Sequence, residues 1–209
     1  MPLNTRILQM PHCIEQGDVV SAAKWCLGKR LVVSHKDHLY SGIIVETEAY
    51  GGSEDKACHA YQRRTARNEA MFASAGTFYV YLIYGMYFCI NLVVGATDDP
   101  KAVLIRALEP DNGIATMRRR RKQTKTEALC SGPGKLCQAL GINIKLHNQE
   151  HAYTSARVWL EQGIVISEIS KSPRIGISQS TELPWRYFAA SSRCVSSAPK
   201  EVRRKVEPV

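Results

Sequence analysis

Two glutamates separated by one residue are the first side chains in this sequence that could do chemistry. They lie in the apolar segment IIVETEAY at 43–50, whose β-branched residues predict a strand. Strict alternation would place Ile43, Val45, Thr47 and Ala49 on the inward face and Ile44, Glu46, Glu48 and Tyr50 on the other. A carboxylate beside an apolar or like-charged neighbour can act as a general base near neutral pH. A solvent-exposed edge strand shows the same pattern more often, so the pair alone leaves both interpretations open.

Two aromatic-rich apolar runs flank Gly85 and Met86 in the segment TFYVYLIYGMYFCINLVV at 77–94. Such runs predict two strands, and a two-residue loop that begins with glycine predicts a hairpin with a type II′ turn. Tyr79 and Tyr81 would share a face, and Tyr84 would lie just before the turn. A ring at a hairpin tip either folds back onto its own strand or acts as a wedge that enters a nucleic-acid duplex.

The segment SGPGKL at 131–136 predicts the start of a helix, where free backbone amides and the helix dipole favour a phosphate. The candidate phosphate contacts there are Ser131, Gly132 and Lys135. The segment is not a nucleotide P-loop, because Leu129 stands where the first glycine is required and Leu136 replaces the Ser or Thr. Simple helix initiation explains it equally well. Further basic candidates are Arg63, Arg64, Arg67 and the run RRRRK at 118–122, although such a run is usually a solvated helix face.

The composition describes a folded, basic protein. The 209 residues are 44% hydrophobic and 22% charged, which suits one globular domain rather than a disordered chain. The net charge of +9 fits a nucleic-acid partner, but also an ordinary basic protein with a solvated surface. The seven cysteines include no CxxC pair, which favours free thiols in a reducing compartment. With no signal peptide or membrane-spanning run, we expect a cytoplasmic or nucleoid-associated protein.

The order of the predicted elements favours the α+β class. The predicted helices are Asp18–Gly28, one capped by Asp111 that runs through Met117, and one from Ser131 and Pro133 to Gly141. Outside the aromatic hairpin, the predicted strands are Arg30–Ser34, Gly42–Tyr50 (after a loop HKDHLYSG), Ala102–Ala107, Val158–Leu160, Ile164–Ile166 and Arg174–Ile177. Because regular βαβ alternation is absent, we expect one domain over 1–209, frayed at about 1–10 and 198–209. Its curved, mainly antiparallel sheet would be flanked by helices and carry a protruding β-hairpin.

Five segments, in one order, resemble the alkyladenine (3-methyladenine) DNA glycosylases, which are monofunctional purine glycosylases. They are IIVETEAY at 43–50, EDKACHA at 54–60, GTFYVYLIYGMYFCIN at 76–91, VLIRALEP at 103–110 and CSGPGKLCQALGI at 130–142. The last third matches more thinly, through RIGI at 174–177 and PWRYF at 184–188. The chain departs from many relatives in AASSRCVSS after PWRYF, and in a slightly shorter loop between His59 and Met71.

The resemblance implies a role for individual residues. Glu48 matches the general base that activates water, and Arg106 and the backbone carbonyl of Ile175 match groups that help to hold that water. Glu46 would then be a structural carboxylate. The implied base pocket consists of Tyr50, His59, Tyr81 and Asn91, with the Asn91 amide opposing the exocyclic amine of normal guanine. Tyr84 matches the intercalating residue, with Met86 beside it.

The implied activity is excision of a damaged purine from double-stranded DNA. The substrates would be 3-methyladenine and 7-methylguanine, with hypoxanthine and ethenoadenine as further candidates, and the product would be an abasic site. Lys56 is the only lysine in the pocket segments, so we expect no lyase activity. We also expect no metal, no cofactor, no membrane contact and a monomer.

Two other functions fit parts of the sequence. An architectural nucleic-acid binder would use the basic surface and the hairpin without needing Glu48. A glycoside hydrolase could pair Glu46 with Glu48, but two carboxylates on one strand cannot easily flank a sugar from both sides.

Overall fold

The computed structural model describes residues 8–209, which form a nine-stranded sheet in which every strand pairing is antiparallel. The strands are β1 (Arg30–His35), β2 (His38–Tyr50), β3 (Phe78–Ile83), β4 (Tyr87–Val94), β5 (Lys101–Asn112), β6 (Val158–Glu161), β7 (Ile169–Ser172), β8 (Arg186–Ala189) and β9 (Glu207–Pro208). The helices are α1 (His12–Glu15), α2 (Val19–Cys26), α3 (Ile114–Arg121), α4 (Pro133–Leu140), α5 (Ile144–His147) and α6 (Lys200–Arg203). Short 3₁₀ helices cover Gly52–Glu54, Glu69–Phe72 and Thr126–Ala128.

The long strand β2 organises the sheet. The strand order is β3-β4-β5-β2-β8-β7-β9, and β1 also pairs with β2 and carries β6. One edge of β2 therefore pairs with β5, while the other pairs first with β1 and then with β8. The predicted α+β class and the single domain with a mainly antiparallel sheet are confirmed.

One face of the sheet is covered by α2 and α4, and the main core lies there. The predicted boundaries of both helices hold: Asp18 caps α2 by accepting a hydrogen bond from the Ser21 amide, and Gly141 ends α4 in a left-handed conformation at φ 80°. None of the helices within residues 8–209 is long and apolar enough to cross a bilayer.

Three register shifts interrupt the pairing of β2 with β5: one leaves Asp111 without a partner, and the other two are opposed bulges around Glu46. Val45 has no partner on β5, and Arg106 has none on β2. The predicted alternation of β2 is therefore wrong across residue 45: Ile44 packs into the main core with Ala49, whereas Ile43 and Val45 pack on the opposite side. A bulged residue shifts the alternation by one position. As a result, Arg106 and Ala107 both lie on the face opposite the main core, Arg106 against the glutamates and Ala107 against Ile43 and Val45.

The hairpin of β3 and β4 forms as predicted, but its turn differs. Tyr84 and Gly85 both have positive φ, 52° and 69°, and the Met86 amide bonds to the Ile83 carbonyl. Two positive φ angles fit a type I′ turn centred on Tyr84 and Gly85, not a type II′ turn centred on Gly85 and Met86. Gly85 supplies the left-handed conformation without cost, while Tyr84 is held there as a non-glycine residue.

The β1–β2 connection is also tighter than predicted. The turn consists of Lys36 and Asp37, which both have positive φ, and β2 already begins at His38. Most of the segment predicted as a loop is therefore strand. Asp111 does not cap α3, which follows Gly113; its carboxylate instead accepts hydrogen bonds from Arg30 and from the Ser41 hydroxyl.

The C-terminal third contains different strands from those predicted. Residues 164–166 and 174–177 are not strands, whereas β7 and β8 are. The Ile164 amide bonds to the Gly28 carbonyl, and the Ile175 amide bonds to a side-chain carboxylate, so neither joins a ladder. In the tail predicted to be frayed, α6 forms and β9 pairs with β7. The other predicted frayed end, residues 1–10, lies mostly outside the described residues.

Candidate active site

A cavity of about 480 Å³ lies on the sheet face opposite the main core. Its walls come from the ends of β2 and β5, the β3–β4 hairpin, the start of α4 and the loop at 175–179. The predicted pocket residues all line it: Tyr50, His59, Tyr81, Asn91, Arg106 and Ile175. The structure therefore brings together residues that are up to 125 positions apart in the sequence.

Glu48 lies directly behind the part of the cavity wall formed by Tyr50, Arg106 and Ile175, and its side chain is fully buried. One carboxylate oxygen, Oε1, accepts the Ile175 backbone N–H at 2.7 Å. The other, Oε2, accepts the Tyr50 hydroxyl at 2.9 Å and an Arg106 guanidinium N–H at 3.2 Å. A carboxylate can accept about four hydrogen bonds, so three donors fix its orientation and leave one acceptor position on Oε1. Ile175 contacts Glu48 through its backbone amide, whereas the family resemblance implied that its backbone carbonyl helps to hold the water.

Glu46 has a different environment and is fully bonded. Its Oε1 accepts hydrogen bonds from Arg106 at 3.1 Å, Arg186 at 2.7 Å and the Ser196 hydroxyl at 2.7 Å. Its Oε2 accepts the Ser196 amide at 2.7 Å. Burial alone would raise the pKa of Glu46, but the charges of Arg106 and Arg186 outweigh it and hold the pKa below its usual value. A carboxylate tied to four donors does not suit the second catalytic group of a glycoside hydrolase.

Arg106 joins the two carboxylates. Its Nε donates to Glu46 and its terminal Nη1 donates to Glu48, and the side chain is almost completely buried. Burial would lower the pKa of Arg106, but Glu48 and Glu46 raise it above the usual value, so the guanidinium stays charged. Burial and the charge of Glu48 likewise raise the pKa of Tyr50, whose hydroxyl remains a hydrogen-bond donor.

Arg174 is a positioning residue that the sequence did not identify as such. Its guanidinium donates to the Ala49 carbonyl at 2.9 Å and forms a buried ion pair with Asp55. It also lies 4.7 Å from the ring centroid of Tyr50 and 5.3 Å from that of Trp185. Arg174 therefore fixes the backbone that presents the Ile175 amide to Glu48. The RIGI segment at 174–177 was the only sequence signal for it.

The opposite wall of the cavity is aromatic. Tyr79 and Tyr81 stack with a centroid distance of 5.2 Å, which confirms that they share a face, and His59 meets Tyr81 edge-on at 4.5 Å. The His59 Nδ1 lies 3.2 Å from the Tyr79 hydroxyl. The side-chain N–H of Asn91 donates a hydrogen bond to the Tyr79 carbonyl at 3.1 Å. The amide oxygen of Asn91 is then the atom that would contact a molecule in the cavity. Partial burial and the nearby charge of Arg67 lower the pKa of His59, which favours the neutral imidazole.

The hairpin tip is apolar and exposed. Tyr84 is 78% exposed and Met86 is 66% exposed, so Tyr84 has not folded back onto its own strand. Tyr84 also lines the rim of the cavity. The hairpin tip therefore presents an exposed aromatic ring beside an aromatic cavity.

The start of α4 lies next to the cavity. Gly132 precedes the helix, Pro133 and Gly134 line the cavity, and a Cβ at Gly134 would lie 3.0 Å from Tyr87. The Lys135 side chain is exposed, and Ser131 bridges to Ala107 of β5. Of the predicted phosphate contacts, Lys135 is exposed beside the cavity, whereas Gly132 is buried and its amide donates to the Cys130 carbonyl at 3.0 Å.

The candidate arginines differ in how they are engaged. Arg63 is exposed, whereas Arg64 forms ion pairs with Glu69 at 2.5 Å and Asp98 at 2.7 Å. Arg67 donates to the Leu82 carbonyl at 3.1 Å and lies 5.6 Å from the ring centroid of Tyr81.

The run at 118–122 has structural contacts. Arg120 stacks on Tyr40 at 4.3 Å and donates to the Ala139 carbonyl near the end of α4, where a cation is favourable. Arg121 donates to the Leu129 carbonyl at 3.1 Å. These side chains join α3 to α4, so the run is more than a solvated helix face.

The fold and the site together define a class: an antiparallel α+β protein with an aromatic cavity, a buried carboxylate behind it and an exposed tyrosine at its rim. Comparison with known proteins gives the family. The methylpurine-DNA glycosylase (MPG) family model matches residues 13–193. A relative from Chlorobaculum parvum is 49% identical over 197 residues, covering 91% of this chain and 93% of its own.

Relatives from Chlamydia pneumoniae and Francisella tularensis subsp. tularensis are 42% identical over 183 residues and 43% identical over 180 residues. Each covers 85% of this chain, and 92% and 93% of its own length respectively. All three relatives are provisionally named 3-methyladenine DNA glycosylases. The chain belongs to the methylpurine-DNA glycosylase family and is thus a DNA-repair glycosylase.

Proposed function

We propose that the protein is a monofunctional glycosylase, acting as a monomer, that extrudes an alkylated or deaminated purine from double-stranded DNA and leaves an abasic site. The candidate substrates are 3-methyladenine, 7-methylguanine, hypoxanthine and ethenoadenine. The observation that carries the proposal is the state of Glu48: a buried carboxylate with three donors and one remaining acceptor position, directly behind an aromatic cavity.

In this mechanism, Glu48 accepts the proton of a water that attacks the sugar C1′. The N-glycosidic bond breaks and its electron pair leaves with the base, while the negative charge of Glu48 stabilises the positive charge that develops on the sugar. Arg106 and the Ile175 amide hold the carboxylate in one orientation throughout. A purine that already carries a methyl group and a positive charge departs as a neutral base, so it needs no acid.

DNA binding would use three features around the cavity. Tyr84, with Met86 beside it, enters the duplex where the base has left, and unstacking costs a few kcal/mol that a damaged base reduces. Tyr50, His59 and Tyr81 contact the extruded base, with stacking worth about 1–3 kcal/mol per base. The amides of Gly134 and Lys135 in the first turn of α4, together with the exposed Lys135 side chain, receive a backbone phosphate; the Gly132 amide is already bonded to the Cys130 carbonyl.

A lyase reaction would need an amine nucleophile. Among the residues that line the cavity, Lys56 is the only lysine, and its side chain is exposed to solvent. Within the described residues, no burial or ion pair holds the Lys56 amine against the cavity, whereas Glu48 is a buried carboxylate beside it with an acceptor position left for water. Hydrolysis without strand cleavage is therefore the reaction that this arrangement supports.

The test uses duplex oligonucleotides with one hypoxanthine or ethenoadenine, methylated duplex DNA, and a matched undamaged duplex. We expect base release from the damaged duplexes and strand cleavage only after alkali treatment. Cleavage without alkali, or a covalent adduct trapped by borohydride, would contradict the monofunctional assignment. If no base were released while all duplexes were bound equally, the protein would be an architectural binder instead.

A further inference from the structure

Arg67 lies outside the cavity but close to its aromatic wall. Its guanidinium carbon is 5.6 Å from the ring centroid of Tyr81, and its Nη2 donates to the Leu82 carbonyl at 3.1 Å. It does not line the cavity, whereas Tyr81 does. Tyr81 is therefore in contact both with the space proposed for the extruded base and with a solvent-exposed guanidinium that is held in place by the Leu82 carbonyl.

The charge of Arg67 is not offset by a carboxylate. Within residues 8–209, no Asp or Glu lies within ion-pair distance of it. The other cation behind an aromatic wall, Arg174 over Tyr50, is paired with Asp55. Nearby Arg64 is paired with Glu69 and Asp98. Unlike Arg64 and Arg174, Arg67 is thus a cation beside the aromatic wall whose charge is not neutralised by a nearby carboxylate in the described part of the chain.

This field reaches the cavity. His59, which contacts Tyr81 edge-on at 4.5 Å, has its pKa lowered by partial burial and, in addition, by the charge of Arg67. A positive charge that disfavours the imidazolium of His59 also disfavours any other cation at the same wall.

We propose that Arg67 is a specificity-determining residue that disfavours positively charged bases and so shifts lesion binding toward neutral purines. The inference rests on the proposed function and runs opposite to the usual expectation that electron-rich rings favour a cationic base. A base in contact with Tyr81 would lie roughly 9 Å from the guanidinium, where repulsion between two unit charges corresponds to about a 2- to 20-fold change in affinity for effective dielectric constants of about 80 to 20.

The test measures equilibrium binding in a Glu48→Gln background, which prevents excision during the measurement. The three duplexes carry a single 7-methylguanine, which is cationic, a single hypoxanthine, which is neutral, or no lesion. Arg67→Gln removes the charge, Arg67→Lys keeps it, and Arg63→Gln removes another exposed charge from the same loop, one with no contact to Tyr81. We expect Arg67→Gln to improve binding of 7-methylguanine relative to hypoxanthine about three- to tenfold, while the ratio stays within twofold for the other two variants.

Two readouts separate this role from others. If Arg67 only contacted a phosphate, Arg67→Gln would weaken both lesions equally and leave the ratio unchanged, which would overturn the proposal. An NMR titration provides the second readout: His59 should titrate at higher pH in Arg67→Gln than in Arg67→Lys, and equal titration would contradict the proposal. If the wild-type protein released no base from any damaged duplex, the proposed function itself would fail.

Discussion

Replacing Glu46 with glutamine removes the negative charge between Arg106 and Arg186. The amide oxygen can still accept a hydrogen bond at the Oε1 position, but the amide nitrogen then faces the Ser196 N–H, a second donor. Removing one partner of a buried ion pair typically costs about 3–5 kcal/mol, because the remaining charge stays buried. We expect Glu46→Gln to lower the free energy of unfolding by about that amount, a large part of the usual 5–15 kcal/mol of a domain.

The assay is urea unfolding followed by tryptophan fluorescence at several pH values, with exposed Glu54→Gln as the matched control. The pKa of Glu46 is lowered in the folded protein, so its ionised form contributes stability at neutral pH that is lost as the pH falls through the usual glutamate range near about 4.3 and then through the folded pKa. The difference between wild type and Glu46→Gln should therefore shrink on acidification. A loss below about 1 kcal/mol at pH 7, or a difference independent of pH, would refute the role assigned to Glu46.

Three further predictions concern the cavity and its rim. Tyr84→Ala should leave the unfolding free energy within about 0.5 kcal/mol, because the ring is 78% exposed, yet slow excision from duplex DNA more than from single strands in parallel rate assays. Tyr50→Phe keeps the ring but removes one donor to Glu48, so the single-turnover rate should fall about tenfold while lesion binding stays within twofold; a larger effect on binding would contradict this. Lys135→Gln should weaken damaged and undamaged duplexes equally and reduce the slope of log affinity against log salt by about 1; an unchanged slope would exclude a phosphate contact.

Elements whose signals are local could be predicted from the sequence. Asp18 and Gly141 mark helix ends through caps that need only neighbouring residues, and the alternating aromatic runs of β3 and β4 meet in a hairpin. The turn type was wrong because it depends on which residues take positive φ, and Tyr84 does so although tyrosine rarely adopts that conformation.

The bulges at Val45 and Arg106 could not be predicted in the same way. They arise from the register between β2 and β5, which are separated by residues 51–100, and they decide which face each side chain occupies. Counting alternate residues therefore placed the two glutamates together correctly but assigned Ile44 to the wrong face.

The residues of the candidate site were predicted mainly from the resemblance to a known family. The resemblance pointed to Glu48, Arg106 and Ile175, and the structure has both Arg106 and the Ile175 amide donating to the Glu48 carboxylate. The residues that hold Glu46 were missed, because Arg186 and Ser196 lie about 140 and 150 positions away and neither type signals a role by itself. Long-range partners of a buried charge become visible only in three dimensions.

Activation of water by Glu48 is the central step of the proposed mechanism, and single-turnover excision by Glu48→Gln tests it. Positioned general bases contribute about 10²–10⁴-fold, so the rate of release of hypoxanthine or a methylated purine should fall by at least about 100-fold, while the affinity for the lesion duplex stays within about threefold of wild type. An excision rate within threefold of wild type, with binding intact, would show that Glu48 is not the group that activates water.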